Sequence, residues 1–350
     1  AQLDVVGIAV RAIGIIDTVL PGGEEGFSFL LLITAEFTPL QLGMGFTLNG
    51  VGGLAGIHRT LMTEPLRNGV RNGSLDNILF PEDPARDADA LIASLQSIFP
   101  PAEDQYVFGL MVKLGYGTPT LVTAEIGVIL KVPDPIIVLL GSISAKLPTE
   151  DAAVVEINLD VLGILDFGQK LFSLDASLRD SRIAIFAISG DMAMRLSWGD
   201  PPCFALSIGG LHPAFQPPAG FPTLRRVSIS VGNGDNPRLG FEAYIALTSN
   251  SLQFGARIEL YAAAGDFSIE GYLGFDALFI FDPFSFRFDF AAGLVIKAGG
   301  VALLSITVEG MLEGPRPWHV RGRASFSILF FEISVDFDAR FGEEFEDRIP

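Results

Sequence analysis

The chain predicts an all-β protein, a long antiparallel meander forming a curled sheet or barrel-like body, with a small helical insertion near residues 55–100. Three observations carry that expectation. Phe284-Ser285-Phe286-Arg287-Phe288-Asp289-Phe290 alternates phenylalanine with a small or charged residue. A strand turns successive side chains to opposite faces, so Phe284, Phe286, Phe288 and Phe290 share one face. After Arg225 the alternation returns between turn signals, among them Ser249-Asn250, Gly265-Asp266, Asp282-Pro283 and Gly299-Gly300. Helical spacing of apolar residues is clearest in a single stretch, Ala88, Leu91, Ile92, Leu95, Ile98 and Phe99.

In chain order, 27–37 is a nearly continuous apolar run, as expected of a strand covered on both faces. It is read as pairing with 41–49 through a turn near Pro39. Val51 to Arg59 contains three glycines and reads as a loop, followed by a helix start at Thr63 ahead of Glu64-Pro65. Asp83-Pro84 opens the clear helix, and Pro100-Pro101 stops it. Strands resume near Gln105, with a break at Val132-Pro133-Asp134-Pro135. Asp180-Ser181-Arg182 reads as a tight turn with a local ion pair. The proline-rich segment 213–222 suits a crossing loop. Strands then follow near 226–232, 238–249, 252–264, 267–281, 284–298, 301–313, 317–329 and 331–341. The domain reading is a sheet half over 1–212 with the insert at about 52–102, then a meander over 223–342, as one continuous unit.

A net charge of −18 argues against nucleic acid, whose binding rests on Lys and Arg neutralising phosphates. No apolar run reaches the ~18 residues of a membrane-spanning helix. The only cysteine, Cys203, excludes an intrachain disulfide framework. His58, His212 and His319 are not at metal-ligand spacing, so neither a metal nor a cofactor is expected. His58-Arg59, after glycines and before a helix, is a candidate anion or polar site. Asp160, Asp175, Asp289 and Asp336 alternate with apolar residues and read as solvated. The chain has 2 Trp and 5 Tyr against 29 Phe. That balance argues against a sugar cleft, and it leaves few residues for the aromatic girdles of an outer-membrane barrel.

Five segments, Gly53-Leu54-Ala55-Gly56-Ile57-His58-Arg59, Ile78-Leu79-Phe80-Pro81, Ile98-Phe99-Pro100-Pro101, Leu178-Arg179-Asp180-Ser181-Arg182 and Gly209-Gly210-Leu211-His212-Pro213-Ala214-Phe215, carry a resemblance. With them the chain resembles a large bacterial and fungal family of long β-rich proteins, often actinobacterial, labelled as a domain of unknown function. The resemblance implies no catalytic residues; it implies an association with contractile injection systems. In outline the meander is also similar to groove-forming lipid-transfer proteins.

The functional expectation is a non-enzymatic protein. Its Phe-rich inner face, with Phe275, Phe279, Phe284, Phe286, Phe288 and Phe290, takes lipid or another hydrophobic molecule, or packs a protein partner. The alternatives are a structural or cargo component of a large assembly, such as a contractile injection system, and a hydrolase with an unrecognised site. The expected location is cytoplasmic, or released with a larger assembly, rather than membrane-embedded. Oligomeric state is not legible.

Overall fold

The computed structural model describes residues 1–5, 7–20, 23, 25–72, 76–81, 86–149, 152–231, 236–315 and 317–342. In chain order the elements begin with β1 (Gln2–Val5), β2 (Ile8–Val19), β3 (Glu25–Gly43) and β4 (Phe46–Arg59). Three helices follow: α1 (Thr63–Asn72), α2 (Asp76–Leu79) and α3 (Ala88–Ile98). Then come β5 (Pro101–Tyr116), β6 (Val122–Val132), β7 (Ile136–Leu147), β8 (Val155–Asp166), β9 (Leu171–Ile183), β10 (Phe186–Ser197) and β11 (Cys203–Ile208). The last are β12 (Val227–Val231), β13 (Arg238–Thr248), β14 (Ser251–Ala264), β15 (Phe267–Ile280), β16 (Ser285–Ala298), β17 (Val301–Gly314), β18 (Trp318–Ile328) and β19 (Phe331–Phe341). The protein is all-β and antiparallel, with its helices confined to one insertion. The chain forms two compact units. One holds Ala1–Ala184 with Met194–Cys203, the other Ile185–Ala193 with the residues from Phe204 onward.

In the first unit β1 to β9 pair each with the next, all antiparallel. The helices cover one face. Leu66 and Val70 of α1, Leu79 of α2, and Leu91, Leu95 and Ile98 of α3 join Leu30, Leu32, Leu54, Val107, Ile129, Val138, Leu140 and Leu162 in one buried cluster. Each fully buried Leu or Ile stabilises by about 1.5–3 kcal/mol. The predicted helix opening at Asp83-Pro84 lies outside the described residues; the rest of the stripe forms α3.

Four local readings are corrected. The glycine-rich stretch 51–59 is the end of β4, not a loop. A Cβ on Gly50 would lie 3.2 Å from the Phe80 ring, and one on Gly52 3.3 Å from Met111, so these glycines make room for cross-strand packing. The β3–β4 turn is at Met44 (φ 52°) and Gly45 (φ 83°). Pro39 instead sits at a register shift inside β3, between Glu36 and Leu40, where a missing N–H is tolerated. Asp180-Ser181-Arg182 stays within β9, since the Ser181 hydroxyl takes a hydrogen bond from the Asn158 N–H (2.9 Å) and Arg182 pairs with Glu156 across the strands. Finally, β3 is covered on one face only: Leu30, Leu32 and Thr34 are buried while Ile33, between the last two, is 43% exposed.

In the second unit β13 to β19 form an uninterrupted antiparallel meander. The first half of β10 and β12 pair with each other, and β11 and β12 each pair with β13. The segment 213–222 forms no strand. Most of the turn signal at Asn233-Gly234-Asp235-Asn236 lies outside the described residues.

Candidate functional site

Register assigns each side chain of β13–β19 to a face, because residues directly opposite across strands point the same way. One row runs Ala243, Ala256, Phe275, Phe290, Gly310, Gly322, Phe337; the next on that face runs Ile245, Phe254, Ala277, Phe288, Leu312, Val320, Ala339. Following the register from end to end, that face carries only Gly, Ala, Val, Leu, Ile, Phe and Trp. Aromatic rings tie the strands together. Phe254 stacks on Phe279 (6.1 Å), Phe275 on Phe288 (5.9 Å), Phe279 on Phe286 (6.2 Å) and Trp318 on Phe341 (6.0 Å). Phe290 lies over Gly310, where a Cβ would come within 2.4 Å of its ring.

This face is wet. Ile258 is 42% exposed, Val335 58%, Phe290 37% and Phe284, in the turn before β16, 58%. Phe275, Phe279, Phe286 and Phe288 are half-buried, largely among one another. Six inter-strand spacings of about 4.8 Å by strands of roughly 40 Å give a face of order 1,000 Å². Monomeric proteins rarely leave more than a few hundred Å² of contiguous apolar surface uncovered.

The opposite face is polar, and half-open cavities lie against it. A cavity of about 850 Å³ is bordered by charged and polar residues such as Glu242, Tyr244, Asp276, Asp289 and Glu309, by Arg226 and Pro213 from the segment before β12, and also by the row from Ala243 to Phe337. Two smaller cavities, of about 440 and 500 Å³, are bordered by polar-face residues as well. Tyr244, Ala246, Ser251 and Gln253 on the polar side are buried while Ile245, Leu247, Phe254 and Ile258 on the other are exposed, so this part of the sheet curls around its polar side. Gly255, Gly274 and Ala291 on that side leave the room, while the rings crowd the other. The sequence reading had put the apolar rows inside. Alternation says which residues share a face and is silent on which face turns inward.

Polar groups inside the curl are paired closely. The Tyr244 hydroxyl donates to Asp276 Oδ1 (2.8 Å) and passes over Gly255, where a Cβ would lie 2.4 Å from its ring. Burial, then this bond, pushes the Tyr244 phenol well above its ordinary range. The Arg226 guanidinium sits 3.7 Å over the same ring and donates to the carbonyls of Gly209 (3.0 Å) and Leu211 (3.1 Å). Arg287 grips Asp289 with two nitrogens (2.7 and 2.9 Å) and Glu313 with a third (3.1 Å). His212, on the segment that Arg226 holds, donates its backbone N–H to buried Gln253 (2.8 Å).

The structure does not bring the sequence candidates His58 and Arg59 together. Arg59 is fully buried, bonded to Asp17 and to the Phe99 carbonyl (3.0 Å). His58, at φ 51° in a register shift, accepts the Asp104 N–H (3.0 Å) and lies edge-on to Phe27. Asp160 and Asp175, read as solvated, are buried, because each meets a guanidinium: Arg179 for Asp160, Arg67 and Arg195 for Asp175. Tyr244, Asp276 and His212 were missed; the only signal was Asp276 and Asp289 falling in step on neighbouring strands. Among the described residues no group of three or more His, Cys, Asp or Glu could hold a metal ion.

A family model described as "Family of unknown function (DUF6603)" matches residues 1–350. No curated protein and no solved structure matches the chain.

Proposed function

We propose, for a chain that belongs to this family of unknown function along its whole length, a non-enzymatic role in which the apolar face of β13–β19 is buried against lipid. One observation carries the reading: seven neighbouring strands present an apolar face with no charged side chain and, apart from the indole of Trp318, no hydrogen-bonding one, and that face is half-exposed. Burial yields about 25 cal/mol per Å², so acyl chains would cover it readily. Polar residues inside the curl and apolar ones outside is also the division that sheets in contact with lipid use. The net charge of −18 makes neutral, zwitterionic lipid the better partner than an anionic surface.

Flotation with phosphatidylcholine vesicles, together with mass spectrometry of extracted lipid, tests the proposal. The protein is expected to float with the vesicles and to carry phospholipid from its expression host. Lipid-free protein that stays at the bottom of the gradient and self-associates would instead assign the face to a protein contact, as in an assembly component.

A further inference from the structure

The meander of the second unit ends on β19, which pairs with β18 along one side. At the far end β13 is flanked by β11 and β12; β19 has no such second neighbour among the described residues. All 11 residues of β19 are exposed, and its ladder with β18 runs from Trp318↔Phe341 to Ile328↔Phe331 without a register shift. Such an edge presents a row of unpaired N–H and C=O groups, and proteins commonly blunt it with a proline or a bulge. β19 carries neither, so its defence is charge alone.

That charge is distributed in a particular way. The odd-numbered residues from Phe331 to Phe341 lie on the apolar side, the even-numbered ones on the polar side. Asp336 reaches Arg323 (3.7 Å) and Asp338 reaches His319 (3.0 Å), both on β18. Glu332 and Arg340, near the two ends, have no ion-pair partner among the described residues. They are opposite in sign and equidistant from Asp336. A two-fold axis through Asp336, normal to the sheet, therefore sets Glu332 of each copy opposite Arg340 of the other.

The same register lays Phe331 against Phe341, Ile333 against Ala339 and Val335 against Phe337, and it takes the whole strand into the ladder. The central row becomes Arg323, Asp336, Asp336, Arg323, so each of the two facing carboxylates keeps a guanidinium behind it. Moving the axis one residue either way shortens the ladder and opposes like charges, Glu332 with Asp338 or Asp336 with Asp338. An offset that placed odd positions opposite even ones would set apolar residues against polar ones.

We propose that β19 is a dimerisation edge: two copies of the chain pair their β19 strands antiparallel about Asp336, joining two meanders into one continuous sheet. Backbone hydrogen bonds supply the adhesion and the Glu332–Arg340 pairs fix the register, in an isologous contact. The apolar face continues across the axis and stays uncovered, so the contact does not depend on the lipid-facing reading.

Sedimentation velocity of the full chain in lipid-free buffer, over a concentration series, tests this. The parent is expected to form a reversible dimer. Glu332→Arg and Arg340→Glu are each expected to weaken it about tenfold or more, because both ion pairs become like-charge pairs. An equimolar mixture of the two single variants is expected to dimerise as the parent does, since every pair across the axis is again opposite in sign. Hydrogen exchange of the unmodified protein is the second measurement, and it decides alone if the variants do not fold. Amides of 331–341 should gain protection as concentration rises, while those of β16 should not change. A parent that stays monomeric to its highest soluble concentration would overturn the proposal. So would a dimer indifferent to the two substitutions, a mixture no more dimeric than its components, or no gain of protection in 331–341. Association through the apolar face would be blind to the signs at 332 and 340, which point to the other side. Failure here leaves the lipid-facing reading untouched, and failure of flotation leaves the edge contact untouched.

Discussion

Lysine at Ile258 or Val335 is expected to weaken phosphatidylcholine-vesicle binding roughly 100-fold per site while leaving the fold intact. Both residues stand on the apolar face and are half-exposed, 42% and 58%. The folded protein in water should tolerate a charge there within about ±0.5 kcal/mol. Lipid should not, since a charge carried into hydrocarbon costs about 3 kcal/mol, and each 1.4 kcal/mol is a factor of ten. Ser334 gives the matching control. It neighbours Val335 on β19 but points to the polar side, so Ser334→Lys is expected to bind vesicles as the parent does. Co-sedimentation with a thermal melt of each variant reads both quantities. Equal losses at 334 and 335 would show that charge, not the face, is being measured.

Asp17→Ala is expected to destabilise the protein by about 3 kcal/mol, because it strands the guanidinium of Arg59, which is 0% exposed, with the Phe99 carbonyl as its remaining partner. Adding Arg59→Met to that variant should restore much of the loss, since an apolar side chain of similar length needs no partner. Urea midpoints of the two single variants and the double variant form the measurement. The asymmetry separates two roles for Arg59. A residue that bound an external anion would lose that anion when mutated and change stability little. One that fastens the helical insertion to β2 and β4 shows the pattern above. A double variant no more stable than Asp17→Ala would count against the anchoring role.

Strand identity was legible almost residue by residue in the back half of the chain, because period-two alternation there is broken at turns that, apart from Leu329-Phe330, carry Gly, Asn, Asp or Pro. It was less legible at β4, where Gly50, Gly52 and Gly56 imitate a loop. Their purpose, room for Phe80, Met111 and Arg59, exists only once the strands are paired. Pro39 misled for a related reason: a bulge accommodates it, and bulges leave no local signature. The burial of Asp160 and Asp175 depends on guanidiniums 19 and 108 residues away, beyond any window of local pattern. The candidate site failed in the same way. Phe275, Phe279, Phe286, Phe288 and Phe290 could be assigned to one face from alternation alone, but whether that face meets protein, water or lipid follows from which way the sheet curls. His212 gave no sign of its setting, since the donor that satisfies its Nδ1 and the carboxylate that faces its Nε2 come together only through the segment held by Arg226.

Tryptophan fluorescence tests the lipid-facing reading most directly. Trp318 lies on the apolar face against Phe286 (5.2 Å) and Phe341 (6.0 Å), and Trp198 is the only other tryptophan. In a Trp198→Phe variant bound to vesicles of phosphatidylcholine brominated along its acyl chains, Trp318 emission should fall strongly and become shielded from aqueous iodide. Emission unchanged by the brominated lipid and still quenched by iodide would contradict a face buried against lipid.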